Sequence, residues 1–225
     1  MFKKILFDLD GTLTDPKIGI TKCVQHALKH FGIDEDIENL TKFIGPPLID
    51  SFVEYYGFTE EQAREGVVLY RERFAPIGKF ENEVYPGIPE MLAKLKEKGI
   101  ILAVASSKPE VFVNEILEHF DLLKYFDIVV GSLLNETRTR KEEVLDEALR
   151  QLGVEYKIFS EEEKKKLKSE VAMVGDRKFD VASASKMNLT AVGVHFGYAE
   201  PGELEAENPD YIANTVEELG NFLLG

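Results

Sequence analysis

Five short apolar runs recur along the chain, at Lys4–Leu9, Ile100–Ala105, Phe126–Val130, Val171–Val174 and Thr190–Val194. Runs that short and that continuous fit strands buried on both faces, the condition of a parallel sheet covered by helices. Helical patterns separate them, at Ile88–Lys98, Pro109–Phe120, Arg140–Leu152 and Lys178–Lys186. Strand and helix therefore alternate, and the pattern predicts an α/β fold built on a doubly wound parallel sheet.

Residues 16–83 break the alternation and read as helical throughout. Asp15 stands as an N-cap with Pro16 at the first helical position, and Ile20, Val24, Ala27, Leu28 and Phe31 make one apolar stripe. Thr59-Glu60-Glu61-Gln62 is a capping box, followed by Ala63, Val67, Tyr70 and Phe74 at helical spacing. Tyr85-Pro86-Gly87 returns the chain to the α/β pattern. The expectation is a core made of residues 1–15 and 84–225, with an all-helical domain, residues 16–83, inserted after the first strand. At 225 residues the chain accommodates one domain carrying such an insertion.

Composition narrows the partners. The net charge of −14 repels nucleic-acid backbones and anionic membrane surfaces, so neither is expected to bind. No apolar run approaches the ~18 residues of a membrane span, and Asp8 cuts the first run too early for a secretory leader. Cys23, the single cysteine, has no internal partner and suits a reducing compartment. A cytoplasmic protein, monomeric or homodimeric, is the expectation. The Ser160–Ser169 stretch opens with a Ser160/Glu163 capping pattern and reads as a solvated surface helix with Glu161–Lys165 and Glu162–Lys166 pairs. His26 and His30 share a helical spacing without an acidic partner motif, and Cys23 falls on the apolar stripe.

In open α/β sheets ligands bind beyond the carboxyl ends of the strands. The first strand ends in Asp8-Leu9-Asp10-Gly11-Thr12, the second in Ser106-Ser107-Lys108, and the strand from Val171 in Gly175-Asp176-Arg177-Lys178-Phe179-Asp180. Lys141 opens a helix whose capping box is read as Thr139 and Glu142. Carboxylates gathered there without a cation would repel at roughly 4 kcal/mol per contacting pair, at an effective dielectric near 20. A hard cation with oxygen ligands, Mg²⁺ above all, removes the conflict. The remaining lysine, hydroxyls and backbone amides are equipment for holding a phosphate.

Asp-Leu-Asp-Gly-Thr after a strand, Ser106 before Ser-Lys, Lys141, and Gly-Asp-Arg-x-x-Asp together resemble the haloacid dehalogenase superfamily, within it the phosphoglycolate-phosphatase-like branch with a helical cap. The resemblance covers essentially the whole chain. It implies that Asp8 is the nucleophile forming an aspartyl-phosphate, and that Asp10 is the general acid and then the base. It also implies that Ser106 binds a phosphoryl oxygen, that Lys141 balances charge, and that Thr12 and the amides of Ser107 and Leu9 complete a phosphate cradle. Mg²⁺ would be held by Asp8, the main-chain carbonyl of Asp10, Asp176, and Asp180 directly or through water. The family often has Lys-Pro where this chain has Lys141-Glu142, which leaves Arg140 as a competitor for the lysine role. Gly45-Pro46-Pro47 lies in the cap, where it either reads the substrate or breaks a helix. The implied activity is hydrolysis of a small phosphorylated metabolite, phosphoglycolate-phosphatase-like. Nucleotidase, pyrophosphatase, a β-phosphoglucomutase-like sugar-phosphate mutase and a non-catalytic binding protein are the alternatives, in that order.

Overall fold

The computed structural model describes residues 2–135, 137–158 and 160–225. The chain divides into two compact units, one made of the residues up to Leu13 with Val84–Gly225, the other of Thr14–Glu83.

The larger unit is an α/β fold, as the alternation predicts. Its sheet takes β1 (Lys4–Phe7), β4 (Ile101–Pro109), β5 (Ile128–Ser132), β6 (Val171–Gly175), β7 (Thr190–Val194) and β8 (Tyr211–Ala213), in the spatial order β5-β4-β1-β6-β7-β8. Every neighbouring pair is parallel. Helices α4 (Ile88–Glu97), α5 (Glu110–His119), α6 (Lys141–Gln151), α7 (Glu161–Glu170) and α8 (Lys178–Lys186) intervene, with α9 (Glu203–Ala206) and α10 (Val216–Leu224) at the end.

Burial explains why the strands read as unbroken apolar runs. Ile5, Leu6 and Phe7 are all fully buried although successive side chains point to opposite faces. Leu6, Ala103, Met173 and Ala191 share a cluster with Val144, Leu145, Ala148 and Leu149 of α6 and Val181 and Ala184 of α8. Central β1 lies between β4 and β6, so the chain winds outward from β1 to β5 and then crosses to the other side. That reversal opens a crevice at the carboxyl ends of these strands, where loops can hold a ligand.

Three local differences from the sequence expectation have physical causes. The edge strand β8 is only three residues long, too short for a periodicity signal, and is secured by Tyr211 stacking on Phe222 of α10 at 4.1 Å. β4 runs past Ala105 to Pro109, with a break in register against β5 between Ala105 and Pro109. The box expected at Thr139 and Glu142 does not form: Arg140 is the N-cap of α6, its N–H donates to Glu143 Oε2 at 3.2 Å, and its guanidinium has no acceptor to complete a box. In α7 Ser160 Oγ accepts from the Glu163 N–H, and Glu161 pairs with Lys164.

The second unit holds α1 (Lys17–His30), α2 (Leu48–Tyr56) and α3 (Glu60–Phe74), with Thr14–Asp15 (β2) and Glu83–Val84 (β3) pairing as a two-stranded sheet. The N-cap of α1 is Pro16, one residue later than the expected Asp15, whose Oδ1 accepts from the Lys17 N–H at 3.0 Å just ahead of the helix. The Thr59/Gln62 box forms in both directions. Cys23, Val24, Ala27 and Leu28 of α1 are fully buried, as are Phe43 and Phe52 to within 1%. Residues Ile37–Phe43 wind as a 3₁₀ helix begun by Asp36, whose side chain accepts from the Glu38 N–H. Gly45, with φ at 103°, Pro46 and Pro47 lead from it into α2. His30 contacts Glu65 at 3.2 Å on the exposed face.

Candidate active site

The carboxyl ends of β1, β4 and β6 bring their polar residues together within the larger unit. Asp8 follows β1 directly, and its N–H donates to the Val174 carbonyl of β6 at 2.9 Å. Asp176 follows β6, and Asp180 sits in the first turn of α8, where its Oδ2 accepts the Arg177 N–H at 3.1 Å. One carboxylate oxygen from each of Asp8, Asp176 and Asp180 lies within 4.8 Å of the others, and all three residues are buried.

Lys141 enters this cluster from the start of α6. Its Nζ stands 2.8 Å from Asp8 Oδ1 and 2.7 Å from Asp180 Oδ1, and donates to the Ala105 carbonyl at 2.9 Å. Of the two residues competing for this position, Lys141 is the one that reaches the carboxylates. A neutral lysine is favoured by burial, but the charges of Asp180 and Asp8 overcome that and hold the ammonium above its ordinary range.

One cation does not balance three acids. Burial pushes the Asp176 carboxyl well up, reinforced by the charges of Asp180 and Asp8. The Asp180 carboxyl is likewise raised by burial to about 6, against the pull of Lys141. Asp176 Oδ2 accepts the Tyr198 N–H at 2.8 Å, while its Oδ1 is buried with no hydrogen-bond partner among the described residues. A bare carboxylate oxygen in a dry site costs several kcal/mol unless something positive occupies the space. Clustered oxygen donors, with no sulfur or imidazole among them, fit a hard divalent cation. The residues that could hold it are Asp8, Asp176 and Asp180.

Gly11 shows how tightly the loop after β1 is fitted to this cluster. Its φ is 78°, and a Cβ there would fall 2.0 Å from Asp176 Oδ2. Only glycine supplies both the left-handed backbone and the space. The turn it makes brings Thr12 inward, where the Thr12 N–H donates to the Leu9 carbonyl and Oγ1 is buried without a hydrogen-bond partner among the described residues.

Asp10 behaves differently from its neighbours. Its carboxylate is outside the acid cluster and is held by Lys108, whose Nζ lies 2.6 Å from Oδ2 and 2.8 Å from Oδ1. The Asp10 side chain is therefore not among the clustered ligands, which leaves only its main-chain carbonyl for the metal role given to it in sequence. Burial raises the Asp10 carboxyl, and Lys108 opposes the rise. Ser106 is buried, with its Oγ accepting from the Lys108 N–H at 3.4 Å, and Ser107 beside it is half-buried.

Lys108 is the site residue that the sequence alone did not single out. Its position two residues after Ser106 was the available signal, since alternate residues of an extended segment share a face. Gly45, Pro46 and Pro47 belong to the second unit.

Comparison with known proteins places the chain in a family. Residues 5–194 match the family described as haloacid dehalogenase-like hydrolases. The chain is 44% identical to a 5′-nucleotidase of Pseudomonas aeruginosa over 99% of its own length and 96% of the relative's. It is 34% identical to the tyrosine-protein kinase PtkA of Mycobacterium tuberculosis, over 97% of this chain and 72% of the other. Identity to a phosphoglycolate phosphatase of Vibrio parahaemolyticus is 30%, over 96% and 94%. Among solved structures, a predicted phosphatase from Clostridium acetobutylicum superposes with a TM-score of 0.91 at 44% identity, covering 100% of this chain and 99% of that one.

Proposed function

The chain belongs to the haloacid dehalogenase-like hydrolase family, and from that premise we propose that it is a Mg²⁺-dependent phosphate monoester hydrolase working through a phosphorylated Asp8. The observation that carries the reading is the buried trio of Asp8, Asp176 and Asp180 around Lys141, with Asp176 Oδ1 left unsatisfied.

Asp8 is the nucleophile. Its carboxylate oxygen bonds to phosphorus while the bond from phosphorus to the leaving oxygen breaks. Asp10 donates a proton to that leaving oxygen and, in the second half-reaction, takes one from the water that attacks the phosphorus of the aspartyl-phosphate as the bond from phosphorus to the Asp8 oxygen breaks and frees phosphate. General acid–base help of this kind contributes typically 10²–10⁴-fold. Ser106 and Thr12 offer hydroxyls, and Ser107 an amide, to the phosphoryl oxygens. Lys141 supplies fixed positive charge beside Asp8, so that a carboxylate can approach a phosphate dianion. Asp8, Asp176 and Asp180, with the main-chain carbonyl of Asp10, would hold Mg²⁺. When bound, the ion neutralises charge on the phosphoryl group.

The substrate class is a small phosphorylated metabolite. The 44% identity to a 5′-nucleotidase, against 30% to a phosphoglycolate phosphatase, favours a nucleoside 5′-monophosphate over phosphoglycolate. The test is phosphate release from nucleoside monophosphates, phosphoglycolate, pyrophosphate, sugar phosphates and an aryl phosphate, with Mg²⁺, with chelator, and with Asp8→Asn. ATP with a tyrosine peptide is run alongside, because one relative is named a tyrosine kinase. Release that requires Mg²⁺ and is lost in Asp8→Asn is expected. Metal-independent release, or release that survives Asp8→Asn, contradicts the reading.

A further inference from the structure

Lys108 sits at the break in register of β4, and its side chain is only 7% exposed. Both oxygens of Asp10 face its Nζ, at 2.6 and 2.8 Å. Such irregularities at the end of a strand re-aim side chains, here turning a strand-end lysine into the interior. The backbone that carries it is closely fitted: a Cβ on Gly131 of β5 would come 2.6 Å from the Lys108 carbonyl and 2.6 Å from Glu110 N and Cα. The Lys108 N–H donates to Ser106 Oγ, joining the same short segment to the hydroxyl proposed to bind phosphate.

Two carboxylates separated by one residue, Asp8 and Asp10, leave the same strand, yet only Asp8 enters the acid cluster. The difference lies in their cations, Lys141 for Asp8 and Lys108 for Asp10. Without Lys108, the buried Asp10 carboxyl is free to turn toward the other positive charges, the metal or Lys141. It would then be a further ligand and no longer an acid facing the leaving oxygen.

We propose that Lys108 is the positioning residue for Asp10: its ammonium holds the Asp10 carboxyl group outside the cluster formed by Asp8, Asp176 and Asp180, and so keeps it available, once protonated, to the leaving-group oxygen. The proposal rests on the reading of Asp10 as the acid. Lys108 takes no part in bond making or breaking, and its effect scales with how much the leaving group needs a proton.

The experiment compares kcat/KM of wild type, Lys108→Met and Lys108→Arg on an alkyl phosphate, whose leaving oxygen is strongly basic, and on a nitrophenyl phosphate, which departs without a proton. Because kcat/KM reports the steps through departure of the leaving group, it isolates the acid function from the later attack of water. Loss of most of an acid's contribution in Lys108→Met corresponds to about 10²-fold on the alkyl ester, with less than about a tenth of that loss on the aryl ester. Lys108→Arg is expected to recover part of the alkyl activity, since it restores the charge beside Asp10. Mg²⁺ binding to Lys108→Met, followed by calorimetry, stays within about threefold of wild type if the trio is intact, and also shows that the variant folds. Equal losses on the two esters, or no loss on either, overturn the proposal. Wild type and Asp8→Asn are run in the same series: if Asp8→Asn retains turnover, it is the parent reading that fails, whatever Lys108→Met does.

Discussion

Replacing Lys141 with methionine keeps the length of the side chain and deletes its charge. Lys141 Nζ lies 2.8 Å from Asp8 Oδ1 and 2.7 Å from Asp180 Oδ1. At an effective dielectric of 20 each contact is about 6 kcal/mol of gross attraction, most of it offset by the desolvation of the ions. What the variant leaves behind is a set of buried carboxylates with no cation among them, a loss of ~3–5 kcal/mol. In a protein of this size 1 kcal/mol moves the melting temperature by about 2–4 °C, so a fall of about 10 °C is expected in chelator. Saturating Mg²⁺ supplies charge to the same acids and narrows the gap to wild type. Turnover does not recover with stability, because the fixed charge beside Asp8 is still missing, and kcat stays lower by ~10²–10³. Thermal denaturation followed by circular dichroism, with chelator and with Mg²⁺, measures the first effect, and phosphate release the second. An unchanged melting temperature in chelator would refute the view that Lys141 balances the cluster.

Three further outcomes follow from the same geometry. Asp176 and Asp180 hold protons more tightly folded than unfolded, so their stabilising contribution is present in acid and is lost as pH rises through about 6 for Asp180. The gain in melting temperature on adding Mg²⁺ is therefore largest at neutral pH and shrinks toward the ordinary carboxyl range, and a gain independent of pH contradicts this. Gly11→Ala drives a methyl group to 2.0 Å from Asp176 Oδ2 at a φ of 78°, and is expected to weaken Mg²⁺ binding by more than tenfold in calorimetry, about 1.4 kcal/mol or more. In the helical unit, Thr59→Ala removes the capping hydroxyl of α3 and lowers stability by ~1 kcal/mol in urea denaturation, with no effect on Mg²⁺ affinity.

The α/β layout was legible because strands buried on both faces, such as Ile5-Leu6-Phe7, cannot alternate with polar residues. The acids were legible for a related reason: Asp8, Asp10, Asp176 and Asp180 interrupt or follow apolar runs at strand ends, where loops face a ligand. Lys108 was not, because its inward path depends on the break in register between β4 and β5, a pairing between distant segments. The helix start at Arg140 was misplaced by one residue because Thr139/Glu142 and Arg140/Glu143 offer acids at the same spacing, and tertiary placement of Lys141 chooses between them. β8 escaped notice since Tyr211 and Ile212 are only half-buried at the sheet edge, and its hold on α10 comes from stacking rather than from an apolar run.

The central claim is that Asp8 itself carries the phosphoryl group during turnover. Enzyme mixed with substrate and Mg²⁺, quenched in acid within one turnover and digested, would be weighed peptide by peptide. The account predicts a mass gain of one phosphoryl group on the peptide containing Asp8, absent in chelator and absent in Asp8→Asn. Full turnover with no phosphorylated Asp8 peptide at any quench time, or the group found on another residue, would contradict it.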